Sequence, residues 1–213
     1  MKITRSGDAE SDVPRLCSPR DHTNRRRERA HKMKKTVWTF GLISGGILSV
    51  MMLVTIPFQD TIGYDRGEII GYTTMVLASL LIFFGIRSYR EQVGGIVSFG
   101  RAFAVGALIT VISSLCYAAT WQLIYAKMTP DFLEKMQAHT IEKAKADGQT
   151  QAAIDKTVAE SRKFAELYKN PVIRYAITFL EPLPVALIMT LVSAGILSRK
   201  RRDAEAMLAS TAG

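Results

Sequence analysis

Residues 102–125 read AFAVGALITVISSLCYAATWQLIY, and no charged side chain lies between Arg101 and Lys127. As an α-helix that rises about 1.5 Å per residue, this run is long enough to cross a hydrocarbon core of about 30 Å. A surface helix of a soluble protein places charged or polar side chains along its outer face, and this run carries no charge. The stretch therefore predicts a transmembrane helix.

Three further apolar stretches occur in the same chain. Residues 37–58 and 69–86 carry no charge, and residues 175–197 carry only Glu181. Lys34 and Lys35 precede the first stretch, so a signal peptide is an alternative there. The stretch is too long for the apolar region of a signal peptide and lacks a clear cleavage site after it, which favours a retained helix. The sequence predicts an all-α membrane protein, a bundle of four transmembrane helices.

The segments outside the spans differ strongly in composition. Residues 1–36 are basic and poor in large apolar side chains, so they are predicted to be a disordered arm. The alternative is that translation starts at Met33, which precedes two lysines and an apolar run, so that residues 1–32 are not translated. The four-span domain then covers residues 37–202, and residues 203–213 are predicted to be a flexible tail.

The loop between the third and fourth spans, residues 126–171, predicts a helical hairpin outside the bilayer. Thr129-Pro130-Asp131 is a helix-start signal, and Asp147-Gly148 interrupts the helical pattern. Asn170-Pro171 ends the second helix. Apolar residues repeat at helical spacing on both sides of the interruption, namely Leu133, Met136, Ile141 and Ala144, then Ile154, Val158, Ala165 and Tyr168.

The basic residues predict the orientation of the spans. The arm contains eleven Lys or Arg residues, the loop 87–101 three and the tail after Leu197 four. The loop 57–68 has only Arg66 against three acids. Because cytoplasmic segments of membrane proteins are rich in Lys and Arg, both termini are predicted to be cytoplasmic and the hairpin extracytoplasmic.

The net charge of +9 does not predict a nucleic-acid partner, since the surplus lies beside apolar blocks. Cys17 and Cys116 are too few and too far apart for a disulfide framework or a metal site. The three histidines lack ligand spacing, and no catalytic constellation is present. We therefore expect no cofactor, no metal, no catalytic residues and no enzymatic activity.

Glu181 is the acid inside the fourth span, and Pro182 and Pro184 follow it. A charged side chain at the centre of a transmembrane helix costs roughly 2.5–3.5 kcal/mol on an insertion scale. Proline removes a backbone donor and disturbs the helix. One hypothesis is a functional site, with Glu181 facing the bundle interior and bonded to Thr110 or Ser114. The alternative is a purely structural role, with Arg174 as partner.

Small side chains recur every four residues on the third span, at Gly106, Thr110, Ser114 and Ala118. Such a stripe lets a neighbouring helix approach closely in lipid. It predicts helix packing within the bundle, with a homo-oligomer contact as the alternative. Gly41 and Gly45 form a shorter stripe on the first span.

Side chains near the span ends are predicted to lie at the membrane surface. Trp38, Trp121 and Tyr125 have the amphipathic character of interfacial anchors. Arg101 and Arg174 are expected to extend toward lipid headgroups.

The chain resembles the bacterial membrane family called domain of unknown function 4199, from about Met33 to Arg202. The most specific segment is Ser-Phe-Gly-Arg-Ala-Phe at residues 98–103, followed by Gly106. The other matching segments are GLISGG at 41–46, GEIIGY at 67–72, FGIRSY at 84–89, PDF at 130–132 and FLEP at 179–182. The resemblance implies a four-span bacterial inner-membrane protein and no catalytic or binding residue.

Two functions follow as expectations. The first is an interaction or accessory membrane subunit, whose hairpin contacts a second copy or another membrane protein. The alternative is a small transporter or an ion- or proton-conducting protein that uses Glu181. The lipid bilayer is the surrounding partner in both cases.

Overall fold

The computed structural model describes the backbone of residues 19–129 and 131–211, and the side chains of residue 24 and of residues 26–129 and 131–198. Within these ranges the chain is almost entirely helical. The elements are α1 (Pro19–Thr55), a 3-10 turn (Ile56–Phe58), α2 (Gln59–Ile62), α3 (Tyr64–Gln92), α4 (Phe99–Lys127), α5 (Phe132–Ala146), α6 (Gln151–Lys169), α7 (Pro171–Leu180) and α8 (Leu183–Thr211).

Four helical segments are long and apolar enough to cross a membrane, and they contain the four predicted spans. They are Arg26–Ile62, Tyr64–Gln92, Phe99–Lys127 and Pro171–Ser198. The fourth consists of α7 and the first part of α8. The prediction of an all-α, four-span bundle is confirmed.

Helix α4 lies at the centre of the bundle and packs against α1, α3, α7 and α8. On α1, a Cβ added at Gly41 would lie 2.8 Å from the Ile112 side chain, and one added at Gly45 would lie 2.7 Å from Cβ of Cys116. Only a residue without a side chain permits this approach, so the short stripe on α1 faces α4.

The stripe on α4 is buried within the chain. Gly106, Thr110, Ser114 and Ala118 are all buried. A Cβ on Gly106 would lie 2.7 Å from Cγ2 of Thr190 and 3.0 Å from Cδ1 of Ile86. The stripe therefore packs against α3 and α8 of its own chain, which leaves Gly106 no free face for a second copy.

The half of the bundle that contains the 93–98 loop has a tightly packed core. Its fully buried members include Ile82, Ile86, Val105, Ile109 and Ala194. The opposite faces of the same helices carry exposed apolar side chains, as expected of surfaces in contact with lipid. Examples are Leu42, Val50, Leu77, Ile188 and Ile196.

The basic arm is helical where the structure describes it, so the prediction of disorder is wrong for residues 19–36. Helix α1 begins at Pro19 and continues into the first span. Arg, Lys, Glu and Ala have high helix propensity, and extending an existing helix avoids the cost of nucleation. Lys32 Nζ also donates to the Gln92 carbonyl at 3.0 Å. Residues 1–18 lie outside the described part of the chain.

The tail predicted to be flexible from residue 203 is helical as far as Thr211, because α8 continues past the membrane boundary. Its residues 204–208, AEAML, are strong helix formers. Residues 212–213 lie outside the described range.

The predicted hairpin is present as α5 and α6. Its turn contains Gly148, whose φ of 69° lies in the left-handed region that favours glycine. Helix α5 begins at Phe132 with Asp131 at the N-cap, later than the Thr129 signal predicted. Pro130 lies outside the described residues. Asn170 caps α7, its Oδ1 accepting from the Val172 N–H at 2.9 Å, with Pro171 in the first turn.

Candidate functional site

A cavity of about 600 Å³ lies between the bundle and the hairpin. Its walls come from the C-terminal part of α1, the N-terminal part of α3, the C-terminal half of α4, both hairpin helices and α7. These walls are mainly apolar and aromatic. Examples are Met52, Met75, Trp121, Phe132 and Ile177.

Glu181, which the sequence singled out, lines the cavity. The Tyr117 hydroxyl donates to Oε2 of Glu181 at 3.1 Å. The Glu181 side chain is exposed and lines the cavity. Tyr117 and Glu181 are 64 positions apart in the chain. Their contact follows from the antiparallel packing of α4 against the fourth span.

The predicted bonds from Glu181 to Thr110 or Ser114 are wrong. The Thr110 hydroxyl donates to the Gly106 carbonyl at 3.0 Å, and Ser114 Oγ has no partner among the described residues. Gly106 packs beside Thr190, and the fourth span runs antiparallel to α4. Glu181, nine residues before Thr190, therefore lies further toward the C-terminal end of α4, next to Tyr117. Thr110 lies about two helical turns away from Tyr117.

A break in the fourth span places Glu181 at this level. Helix α7 ends at Leu180, α8 begins at Leu183, and Glu181 and Pro182 form the turn between them. Neither Pro182 nor Pro184 can donate a backbone hydrogen bond, so the helical ladder cannot pass through them unbroken. Pro182 is buried and Pro184 is exposed. The break exposes the Glu181 side chain to the cavity.

Trp121 joins the bundle to the hairpin. Its Nε1–H donates to the Tyr168 hydroxyl at 2.7 Å, and its ring meets that of Phe132 edge-on at 4.8 Å. Trp121 is only 5% exposed, so the prediction of an interfacial anchor is wrong for it. Trp38 is 57% exposed at the other end of the bundle, as an anchor would be. Trp121 instead forms part of the cavity wall.

Arg174 does not neutralise Glu181. Its Nε donates to Oε1 of Gln122 at 2.8 Å, and its guanidinium lies 4.0 Å from the centre of the Tyr125 ring. The side chain is buried, so it does not extend to headgroups as predicted. Among the described side chains, no ion pair involves Glu181.

Charged residues at the mouth of the cavity hold α5 against α2 and α3. Lys143 Nζ lies 2.9 Å from Oδ1 of Asp65, and His139 Nε2 lies 3.5 Å from the same oxygen. The His139 ring stacks on Tyr64 at 5.0 Å. These contacts lie at the surface, where ion pairs are weak. These surface contacts therefore add little to the attachment of the hairpin.

The lysine contacts at the mouth remain charged over the physiological pH range. The hydrogen bond to Asp65 raises the pKa of Lys143 above its usual value, and the hydrogen bond to Asp60 does the same for Lys135. A raised lysine pKa stabilises the paired state below the ordinary lysine pKa, and this contribution is lost only as pH rises through the raised value. The lysine charges that attach α5 should therefore be lost only in strongly alkaline solution.

Sequence reasoning found Glu181 and the prolines but missed the rest of this site. Tyr117 carried no signal beyond being a tyrosine within an apolar run. Asp65, His139 and Lys143 had no mutual spacing that predicts contact. Among the described residues, no three His, Cys, Asp or Glu side chains are grouped so that they could hold a metal ion.

A family model described as a protein of unknown function (DUF4199) matches residues 39–199, which is most of the chain and nearly all of the four-span region. No curated protein and no solved structure matches the chain.

Proposed function

The chain belongs to the DUF4199 family, and we propose that it is a membrane-embedded binding protein for a small amphiphilic molecule. The observation that carries the proposal is the cavity of about 600 Å³ that Glu181 lines. Ligand sites in proteins are typically clefts of about 300–1,000 Å³ with apolar walls and a few polar groups. An amphiphile suits such a site, because its apolar chain can contact the apolar walls and its polar headgroup can bond to the polar groups.

The cavity is closed on the side away from the hairpin, which favours binding over conduction. Beyond Glu181, the described helices α3, α4 and α8 are packed around Ile82, Ile86 and Ile109, each at most 1% exposed. A continuous passage would require this core to separate. A transporter that uses Glu181 is the second candidate, supported by the helix break beside that residue.

The hairpin supplies less support for an accessory subunit than its sequence suggested. Its apolar stripe is covered within the chain, since Leu133, Ala144, Ile154 and Tyr168 are buried. In an accessory subunit the hairpin would contact a second copy or another membrane protein. Such a partner stays a prediction and would need another surface.

We further propose that the protein lies in the bacterial inner membrane with both termini cytoplasmic, so that the cavity opens on the extracytoplasmic side. The support is the distribution of Lys and Arg, which are concentrated in the arm, the loop 87–101 and the segment after Leu197.

Cysteine labelling tests this orientation. In a chain with Cys17 and Cys116 replaced by serine, Gln149→Cys adds a thiol at the hairpin turn and Ile96→Cys adds one in the 93–98 loop. Both positions are exposed. A membrane-impermeant maleimide should label the first in intact cells and the second only after lysis. The reverse pattern would place the cavity on the cytoplasmic side.

Filling the cavity tests the binding function. Gly71 on α3 lines the cavity, and a Cβ there would contact nothing within 4 Å. We expect Gly71→Phe to occupy ligand volume without unfolding the helix and to weaken amphiphile binding about tenfold or more. Gly46→Phe is the matched control, since Gly46 on α1 is equally open, is exposed, and lies outside the cavity.

Trp121 provides the measurement. With Trp38 replaced by phenylalanine, Trp121 is the only tryptophan, and it lies in the cavity wall. The protein in lipid nanodiscs is titrated with ω-bromodecyl maltoside, a neutral amphiphile whose bromine quenches tryptophan on contact. Saturable quenching that Gly71→Phe weakens and Gly46→Phe preserves is the expected result. Quenching without saturation, or equal behaviour of the two variants, would contradict the binding function.

A further inference from the structure

Glu181 is an intramembrane acid that has no ion-pair partner among the described side chains. Its carboxylate accepts one hydrogen bond, from Tyr117 at 3.1 Å. The nearest candidate cation in the sequence, Arg174, is bonded to Gln122 and stacked on Tyr125 instead. A carboxylate in lipid is unfavourable unless a proton or a cation neutralises it.

The charged residues that line the cavity are, taken together, predominantly acidic. Asp65, Glu68 and Glu181 face it, against Lys143 and the histidine His139. Lys143 is bonded to Asp65 at 2.9 Å, so its charge is already balanced. An anionic ligand would therefore find no uncommitted basic side chain among the cavity-lining residues, whereas a cation would find Glu181.

The aromatic residues of the cavity add a second feature suited to cations. Tyr72, Tyr117, Trp121 and Tyr168 all line it. The faces of tyrosine and tryptophan rings attract ammonium groups, and desolvation strengthens the attraction. A cavity that is lined by both a carboxylate and several such rings can accept an ammonium group, while the apolar walls suit a hydrocarbon body.

We propose that the ligand is a cationic amphiphile, with its ammonium group at Glu181 and its apolar chain along the walls formed by α1, α3 and α4. This inference rests on the proposed binding function and narrows it to one charge class. Glu181 is the group that selects the cation, and Tyr117 is a positioning residue that holds the carboxylate toward the cavity. Lys143 and Asp65 lie at the mouth and close over the chain end.

The test compares three ω-bromodecyl amphiphiles that differ only in their headgroup: trimethylammonium, maltoside and sulfate. Each is titrated into the full chain in nanodiscs of zwitterionic lipid, with Trp38 replaced by phenylalanine and Trp121 as reporter. We expect the trimethylammonium probe to bind about tenfold more tightly than the maltoside, a factor that corresponds to about 1.4 kcal/mol. The sulfate should bind most weakly. This comparison uses a protein in which no cavity-lining residue is substituted.

Two variants then assign the preference to Glu181. Glu181→Gln should remove the advantage of the trimethylammonium probe while keeping maltoside binding, which also shows that the variant is folded. Tyr117→Phe removes the hydroxyl that positions the carboxylate but leaves the acid, so the preference for the cation should decrease without disappearing.

The outcomes separate the two proposals. If the maltoside saturates but the cation has no advantage, or if Glu181→Gln retains that advantage, the cationic class is wrong and the binding function stands. If the sulfate binds most tightly, the charge argument is likewise overturned. If none of the three probes shows saturable quenching, the binding function itself fails.

Discussion

Gly106→Leu is expected to destabilise the fold by at least about 3 kcal/mol, because overpacking a tight core costs about 1–3 kcal/mol even for a few added methylene groups. The first added atom would lie 2.7 Å from Cγ2 of Thr190 and 3.0 Å from Cδ1 of Ile86. Both neighbours are fully buried and cannot move aside without disturbing α3 or α8. The measurement is the midpoint of unfolding in mixed micelles of increasing denaturing detergent, followed by circular dichroism.

Gly100→Leu is the matched control on the same helix. A Cβ at Gly100 would contact nothing within 4 Å, so this variant should unfold near the midpoint of the parent protein. The pair also separates the two hypotheses for the stripe. If Gly106→Leu kept the unfolding midpoint of the parent protein and only abolished a crosslinked oligomer, the stripe would be an intermolecular contact and the described packing would be wrong.

Arg174→Met should cost about 3 kcal/mol, the second-largest effect we expect, because a buried hydrogen bond to a charged group contributes about 1.5–3 kcal/mol and its loss leaves partners unsatisfied. The guanidinium donates to Gln122 on α4 and to the Tyr168 carbonyl on α6, at 2.8 and 3.4 Å. Methionine keeps much of the side-chain length but none of these bonds. Hydrogen exchange should show faster opening of α6 as well as a lower unfolding midpoint.

Arg101→Met is the control for this prediction. The sequence treats Arg101 and Arg174 alike, as arginines that extend to headgroups, but Arg101 is exposed and Arg174 is buried. Exposed substitutions away from special contacts usually change stability by no more than about 0.5 kcal/mol. Equal effects of the two variants would show that Arg174 does not link the helices.

The candidate site was only partly predictable. Glu181 and its prolines were visible because an acid and two helix breakers are rare in an apolar run. Tyr117 carried no signal, since a lone tyrosine inside an apolar run indicates no partner, whereas aromatic residues near the end of a span are ordinarily interfacial. The same rule misplaced Trp121, which lies 5% exposed against Tyr168 and Phe132. A hydropathy pattern cannot distinguish an aromatic residue covered by lipid from one covered by a hairpin.

The number, length and helical nature of the spans follow from the sequence alone. Each backbone N–H and C=O in lipid must be paired within its own segment, so a long uncharged run has only the helix available. Glycines at helical spacing likewise predict close helix contacts, and Gly41, Gly45 and Gly106 make them. Local rules of this kind need no knowledge of the neighbouring helix.

Only the tertiary structure decided which residues meet. Tyr117 and Glu181 are 64 positions apart, and Trp121 and Tyr168 are 47 apart. Such contacts depend on the relative height and rotation of packed helices, which in lipid are determined by side-chain fit because hydrophobic burial drives helix association weakly there. The cavity and the contact between Tyr117 and Glu181 follow from that fit, so no single stretch of the chain encodes them.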